Sequence, residues 1–213
     1  MVNNLADEMK INKQISVQKT GKALVELCDN IRFQEMNAWP FDKGARILCR
    51  MKDYSNGTGD KSVDTTHNIA ITDVKKIVSK IQSIENVNLL LSTSGRKISE
   101  TVTIFSEDKI LDFDYYRNPK NPAERTVTQL QITYNPTMNN PYGIQMCNGW
   151  GIPEKTSTGG TKIQSGSLRF DKKVKMFLTF DTIYALFQKA DMFVDAMAQI
   201  GIAKYRENAQ TNS

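Results

Sequence analysis

One unit that occurs twice, about one hundred residues apart, constrains the fold of this chain more than any other feature. In each copy an apolar strand leads into threonine and aspartate residues, and an amphipathic helix follows. The copies span residues 69–84 and 176–200. Thr72 and Thr179 stand where a hydroxyl can accept a hydrogen bond from a free N–H group of the first helical turn. The pattern therefore predicts two helices, each closing a sheet that precedes it.

Both helices carry apolar residues at intervals of three and four, which places one side of each helix in the core. These residues are Val74, Ile77, Val78, Ile81 and Ile84 in the first helix, and Ile183, Leu186, Phe187, Ala190, Phe193, Val194 and Met197 in the second. Lys189, Asp191 and Asp195 interrupt the second apolar stretch, and charges are costly in hydrocarbon. We therefore expect no membrane partner, and we expect helix Ile183–Met197 to pack in the core or between copies in a homo-oligomer.

The segments outside the helices alternate between apolar and polar residues, with the period of two that is typical of strands with one buried side. Residues 22–33 fit either a further strand or a short helix. We predict strands over residues 45–54, 128–134, 142–152 and 168–179, and a hairpin with arms 102–105 and 109–117. The predicted fold class is α+β, with antiparallel sheets backed by helices.

The order of these elements suggests two imperfect sheet-plus-helix repeats. We divide the chain into an N-terminal polar segment (1–20), a first module (21–87), a second module (88–205) and a polar tail (206–213). The Gly-, Ser- and Thr-rich segments 54–64 and 154–167 are expected to be loops inside the modules, since such compositions are typical of connections between strands.

The chain contains a single histidine, His67, and three cysteines, Cys28, Cys49 and Cys147. Ser–His–Asp or Cys–His catalysis would have to use that one imidazole, and zinc sites with several histidines are excluded. The odd number and wide separation of the cysteines favour reduced thiols in the cytoplasm over a disulfide framework. We expect no enzyme activity, no cofactor and no metal ion.

Positive charge is in excess, with 28 lysine and arginine residues against 23 aspartate and glutamate residues. Alternation places many of these cations on the outward side of two predicted strands, and we expect them to share one solvent-exposed sheet face. They are Arg46, Arg50 and Lys52 in the first strand, and Arg169, Lys173 and Lys175 in the second. Cations can follow a phosphate backbone, and aromatic side chains can stack on unpaired bases. Further candidate contacts are Tyr54, Arg96, Lys97, Tyr115, Arg117, Lys120 and Trp150.

The strand Asn68–Thr72 follows a basic strand and a Gly-rich hairpin and leads into a helix, and Lys175–Thr179 leads into a helix in the same way. This arrangement resembles the transcriptional-coactivator and Whirly type of single-stranded DNA-binding proteins, over residues 45–84 and 89–200. The resemblance implies a curved antiparallel sheet backed by a helix, a duplicated module, and single strands lying across a basic, aromatic-bearing sheet. The lysine-glycine-lysine signature of the Whirly proteins is absent.

The sequence thus favours a non-enzymatic nucleic-acid-binding protein that acts on single-stranded DNA in replication, recombination or transcription. A structural or assembly subunit of a viral or plasmid-encoded particle is the alternative, and for a viral protein the cytoplasm would be that of a host. A second alternative is a magnesium-dependent nuclease, because Asp112 and Asp114 lie on the same side of a predicted strand and carboxylates are preferred ligands of Mg²⁺.

Overall fold

The computed structural model describes residues 13–31, 45–111 and 117–211, the last eight of these without their side chains. The first part consists of strands β1 (Gln14–Lys19), β2 (Ala23–Asn30), β3 (Arg46–Asp53) and β4 (Val63–Ala70), followed by helix α1 (Ile71–Ser92). The second part consists of strands β5 (Val102–Leu111), β6 (Arg117–Asn118), β7 (Asn121–Tyr134), β8 (Tyr142–Gly151), β9 (Pro153–Lys155), β10 (Thr161–Ile163) and β11 (Arg169–Leu178), followed by helix α2 (Phe180–Thr211).

The strands form two main antiparallel sheets, and one helix follows each sheet. The first sheet has the strand order β1-β2-β3-β4, and the second has the order β11-β8-β7-β5. Short β6 pairs with β7, while β9 and β10 form a separate two-stranded hairpin. These features confirm the predicted α+β fold class with antiparallel sheets and helices. Within the described residues, neither helix is both long and apolar enough to cross a membrane.

The two parts repeat the same arrangement of four sheet strands and a helix, with β6 and the β9–β10 hairpin added to the second. Buried positions of the two helices correspond at a separation of 109 residues, as Val74 does with Ile183 (183 minus 74) and Ile77 with Leu186. The same separation relates Val78 to Phe187 and Ile81 to Ala190, all of them buried. Equivalent helix positions are therefore buried in the core in both halves.

One hydrophobic core joins both halves of the chain. It is formed by the inward sides of the two sheets together with the facing sides of α1 and α2. Leu27 of the first sheet, Leu130 and Ile144 of the second, and Phe187 of α2 are fully buried within it. Each such side chain contributes about 1.5–3 kcal/mol by leaving water. Because the inward sides share one core, the outward sides of the two sheets face different regions of solvent.

Residues 102–111 form one continuous strand, so the predicted turn at Ser106-Glu107-Asp108 is wrong. Glu107 points inward, where its carboxylate meets His67, whereas Ser106 and Asp108 are exposed on the other side. A polar triplet that looks like a turn is therefore an ordinary strand segment whose inward carboxylate has a buried partner. The rest of the predicted hairpin, residues 112–116, lies outside the described residues.

The helix starts differ from each other. Helix α1 begins at Ile71, and Ala70 precedes it without a side-chain hydrogen bond, so Thr72 lies in the first turn and is not the cap. Thr179 does precede α2 directly, and its Oγ1 accepts a 3.4 Å hydrogen bond from the Thr182 N–H group. The predicted capping residue is therefore correct only for the second helix.

Several predicted boundaries also shift. The ambiguous segment 22–33 contains strand β2, and part of the predicted N-terminal polar segment is strand β1, which pairs with β2. The predicted module boundary at residue 87 falls inside α1, and α2 continues into the predicted polar tail as far as Thr211. The end of α2 carries alanine, lysine, arginine, glutamate and glutamine residues, which are strong helix formers.

Candidate nucleic-acid interface

The predicted cations lie on two surfaces, so the expectation of one shared face is wrong. Arg46, Arg50 and Lys52 lie on the outward side of β3, opposite the apolar residues that enter the core. Lys173 and Lys175 lie on the outward side of β11. These sides belong to different sheets whose inward sides pack in the same core. Alternation predicts correctly that the β3 cations, Lys173 and Lys175 point outward, but it cannot place two outward sides relative to each other.

Each cation of β3 has a partner, which is a carboxylate for Arg50 and Lys52 and a backbone carbonyl for Arg46. The Arg50 guanidinium lies 3.5 Å from Glu26 and 3.6 Å from Asp64, and Lys52 Nζ lies 3.5 Å from Asp64. The Arg46 guanidinium donates a 2.9 Å hydrogen bond to the carbonyl of the preceding residue. Such partly exposed ion pairs contribute little to stability. They do reduce the positive charge that this surface offers to an anion.

Arg169 is also engaged, in this case by a buried carboxylate. Its guanidinium donates two hydrogen bonds to Glu124, one of them 2.8 Å long, and Asn118 Nδ2 donates to the same carboxylate. The hydrogen bond from Arg169 holds the pKa of Glu124 below its ordinary value. Arg169 therefore ties the beginning of β11 to the paired strands β6 and β7.

Three lysines at the edge of the second sheet have no acidic partner within 4 Å among the described residues: Lys172, Lys173 and Lys175. We call these three residues the β11 basic edge, because β11 is the terminal strand of this sheet. Lys173 and Lys175 lie on the outward side, whereas Lys172 lines a cavity on the inward side. Lys175 Nζ also lies 4.7 Å from the centroid of the Phe177 ring.

A bulge near the start of β11 reverses the sides that plain alternation predicts for Arg169 and Phe170. The register of β11 against β8 shifts between Phe170 and Lys172. Unbroken alternation would place Phe170 on the buried side with Val174, but Phe170 is 36% exposed. Arg169 is in register with Trp150 in the inward row, so its predicted position on the outward side is wrong. In the sequence, the bulge is indicated by three consecutive charged residues, Asp171-Lys172-Lys173, which interrupt the apolar alternation. Bulges are common at sheet edges.

Glutamines continue the outward surface beside the basic edge. Lys175 is in register with Gln145 of β8, which is in register with Gln131 of β7. In the neighbouring row, Gln129 Nε2 donates a 2.8 Å hydrogen bond to Asp108 of β5. Asp108 is three strands from β11, or about 14 Å at the usual strand spacing. The outward side of the second sheet is thus positive at β11 and negative at β5.

The other predicted cations lie in connecting segments. Arg96 and Lys97 are exposed in the segment between α1 and β5, where the Arg96 N–H donates to the Leu91 carbonyl at 2.9 Å. Arg117 and Lys120 are exposed at the β6–β7 turn. That turn meets Arg169 through Glu124. Of these four cations, the structure brings only the β6–β7 pair to the β11 end of the second sheet.

The predicted aromatic contacts separate into different roles. The Tyr54 hydroxyl donates to the carbonyls of Thr20 and Ala23, at 2.7 and 3.1 Å, and so fixes the turn between β1 and β2. Trp150 is half-buried and lines the same inward cavity as Lys172. Tyr115 lies outside the described residues. Among the described candidates, only Trp150 therefore presents an aromatic ring next to a free lysine.

The cavity lies where β4 crosses the inward side of the second sheet. Lys172, Asn148, Thr128 and Lys109 form one row across that sheet by strand register. Successive residues of β4 meet this row, and Lys109 Nζ donates to the Asn68 carbonyl. Beyond β4 the inward side of the sheet is uncovered, and a cavity of about 620 Å³ opens there. No pattern in the sequence indicated this junction, because it depends on how the two sheets cross.

Asn148 joins the two sheets, because its side-chain amide forms the two hydrogen bonds that a neighbouring strand would form with the backbone of β4. Its Oδ1 accepts a 2.8 Å hydrogen bond from the Thr66 N–H, and its Nδ2 donates a 2.9 Å bond to the Thr66 carbonyl. One side-chain amide thus satisfies both backbone groups on the free edge of β4. Exposed strand edges otherwise invite pairing with other chains.

Replacing Asn148 with alanine is expected to lower the free energy of unfolding by about 1–2 kcal/mol, because two hydrogen bonds between the sheets are lost. Urea denaturation measures this change. Gln145→Ala on the opposite side of the same strand is the control and should have a smaller effect. Equal midpoints for Asn148→Ala and the unmodified protein would contradict this role of Asn148.

His67 is buried at the crossing, with its side chain fully enclosed. Its Nδ1 lies 2.9 Å from Thr128 Oγ1, and its Nε2 lies 3.0 Å from Glu107 Oε2. Lys109 Nζ also lies 3.0 Å from Glu107 Oε2. Burial lowers the pKa of His67, and this effect outweighs the hydrogen bond to Glu107. Burial would raise the pKa of Glu107, but the hydrogen bonds from His67 and Lys109 hold it below its ordinary value.

These directions assign the hydrogen-bond roles. An ionised Glu107 can only accept, so a neutral His67 carries its proton on Nε2. Nδ1 is then the acceptor, and the Thr128 hydroxyl donates to it. Thr128 is 3% exposed, so the network is enclosed between the sheets. It holds β4 of the first half against β7 and β5 of the second.

The described residues contain no group of three or more His, Cys, Asp or Glu side chains that could hold a metal ion. Asp112 and Asp114, the predicted magnesium ligands, lie outside the described residues. Comparison with known proteins found no matching family model, no matching curated protein and no matching solved structure.

Proposed function

We propose that this protein binds single-stranded nucleic acid, with single-stranded DNA favoured, through the β11 basic edge and the adjoining outward side of the second sheet. The observation that carries the proposal is the set of three edge lysines without acidic partners among the described residues. Arg50 and Lys52 of β3, by contrast, already face carboxylates. Free lysines release counterions from phosphates on binding, which is the main source of affinity for nucleic acid.

The geometry suits an extended strand better than a duplex. Lys173 and Lys175 are separated by two residues of a strand, about 7 Å, and point to the same side. Gln145 and Gln131 follow Lys175 across the sheet, and their amides can donate to or accept from base edges of any sequence. No catalytic step is part of the proposal, and neither a cofactor nor a metal ion is needed for it.

The repeated arrangement of four strands and a helix adds support. It is the organisation implied by the resemblance to the coactivator and Whirly type of proteins, in which the module is duplicated. The three cysteines are free thiols, in keeping with a cytoplasmic location and a role in replication, recombination or transcription.

Fluorescence anisotropy with a labelled single-stranded oligonucleotide tests the proposal. Affinity should fall steeply as salt is raised, with a slope of about −0.7 in log K against log salt for each phosphate contact. A duplex of the same length should bind more weakly. If no binding is detected even at low salt, the proposal is wrong.

Self-assembly is a second candidate, favoured by exposed apolar residues on both helices. Leu89 and Leu90 of α1 are 69% and 71% exposed, and Met192 of α2 is 66% exposed. Most apolar residues of helix Ile183–Met197 are instead buried in the core of their own chain. A solution mass that is a multiple of 24.1 kDa without nucleic acid would support assembly, and a monomer mass would contradict it.

A further inference from the structure

We propose that the cavity beside β4 accepts one unpaired nucleobase of the bound strand. The inference rests on the proposed function and extends it to a second surface of the same sheet. Three features of the cavity carry it: an aromatic wall, a pair of amides that presents one acceptor and one donor, and a lysine at the edge that connects the cavity to the phosphate-binding side.

The wall of the cavity suits a flat aromatic ring. Trp150 lines it on the second sheet, and Leu48 and Leu111 add apolar surface from β3 and β5. Trp150 is half-buried, and among the described residues its indole N–H has no hydrogen-bond partner. A half-buried indole facing a space of about 620 Å³ leaves apolar area in contact with water, and a stacked ring would remove that area.

The polar groups of the cavity are arranged for the edge of a base. Asn30 Nδ2 donates a 2.9 Å hydrogen bond to Asn68 Oδ1, which fixes the orientation of both amides. Asn30 Oδ1 and Asn68 Nδ2 then remain as one acceptor and one donor that no described residue engages. Every base carries neighbouring donor and acceptor groups on its pairing edge, and these become available when the base is unpaired.

The lysines connect the two surfaces. Lys172 lines the cavity, while Lys173 and Lys175 point to the other side of β11. A strand that crosses this edge keeps its phosphates near lysines on both sides while one base turns inward. Of the two cavity carboxylates, Asp64 faces Arg50 and Lys52, and Asp171 lies 3.8 Å from Arg169, which also binds Glu124.

The test uses the full chain with Trp39→Phe, which leaves Trp150 as the sole tryptophan of the sequence. It is titrated at low salt with a single-stranded oligonucleotide and with a strand of equal length in which every nucleotide is abasic. Both strands should bind with similar salt slopes, but only the strand with bases should quench Trp150 fluorescence. Trp150→Leu should weaken binding of the strand with bases by about 5- to 150-fold, the range for loss of one stacked base, and leave the abasic strand unaffected.

The outcomes separate this inference from the proposed function. If the strand with bases binds but leaves Trp150 fluorescence unchanged, the cavity does not accept a base and the proposed function stands. If neither strand binds, both are overturned. Quenching needs no substitution at Trp150, so it decides the question even if Trp150→Leu does not fold.

Discussion

Replacing Lys172, Lys173 and Lys175 together with glutamine is expected to weaken binding of a single-stranded oligonucleotide about 100-fold at about 0.1 M salt. Each phosphate contact to a single strand contributes about 0.7 to the slope of log K against log salt, and therefore about fivefold in affinity at that concentration. Three contacts multiply to the expected loss. The slope itself should decrease by about 2, and anisotropy titrations at several salt concentrations measure both quantities.

The control variant removes the same charge elsewhere. Lys61, Lys80 and Lys189 are exposed, and they lie in the turn before β4, on α1 and on α2. Their joint replacement with glutamine lowers the net charge equally, so it isolates the effect of position from that of total charge. Affinity within a few-fold of the unmodified protein is expected. If both triple variants lose affinity equally, binding depends on overall charge and the β11 basic edge is not the site.

Lowering the pH from about 7.5 to about 5.5 is expected to destabilise the protein through His67. Burial lowers the pKa of this side chain in the folded state, so the unfolded chain binds the proton more readily. Stability is then fully present above the unfolded value near 6.5 and decreases as the pH falls toward the folded value. The slope cannot exceed about 1.4 kcal/mol per pH unit for one proton. Urea denaturation at several pH values measures it.

His67→Gln provides the matched variant, because the chain has no other histidine. Glutamine can still hydrogen-bond but does not titrate, so the pH dependence in this window should largely disappear. The variant should also be less stable than the unmodified protein at about pH 7.5, by about 1–3 kcal/mol, if Glu107 or Thr128 loses its partner. Equal pH dependence of the two proteins would contradict the account. The lowered pKa of Glu107 acts in the same direction, but below about pH 4.5.

Local patterns in the sequence predict most of the secondary structure. Apolar spacing in the two helices places Val74, Ile77, Leu186 and Phe187 in the core, and all four are buried. Alternation shows that the cations of β3, and Lys173 and Lys175 of β11, point outward. These features depend on one element at a time, so the period of a single segment is enough to predict them.

The candidate site depends on relations between elements, which a single-segment pattern does not contain. Arg50 points outward as predicted, yet its guanidinium forms ion pairs with Glu26 and Asp64 from neighbouring strands. The local sequence around Glu107 is typical of a turn. In the fold, however, Glu107 lies in a strand and pairs with the buried His67, forty residues earlier in the chain. Arg169 is in register with Trp150 on the cavity side because a bulge between Phe170 and Lys172 changes the parity at the start of β11. Strand register and sheet crossing decide all three.

Chemical-shift mapping of the full chain with a single-stranded oligonucleotide tests the central claim most directly. Backbone amide signals of residues 172–175, and of Gln145 beside them, should change progressively during the titration, while those of Gln14–Lys19 in β1, which does not line the cavity, should stay constant. Changes concentrated in β3, or the absence of changes in β11 at saturating oligonucleotide, would contradict the assignment of the β11 basic edge as the nucleic-acid interface.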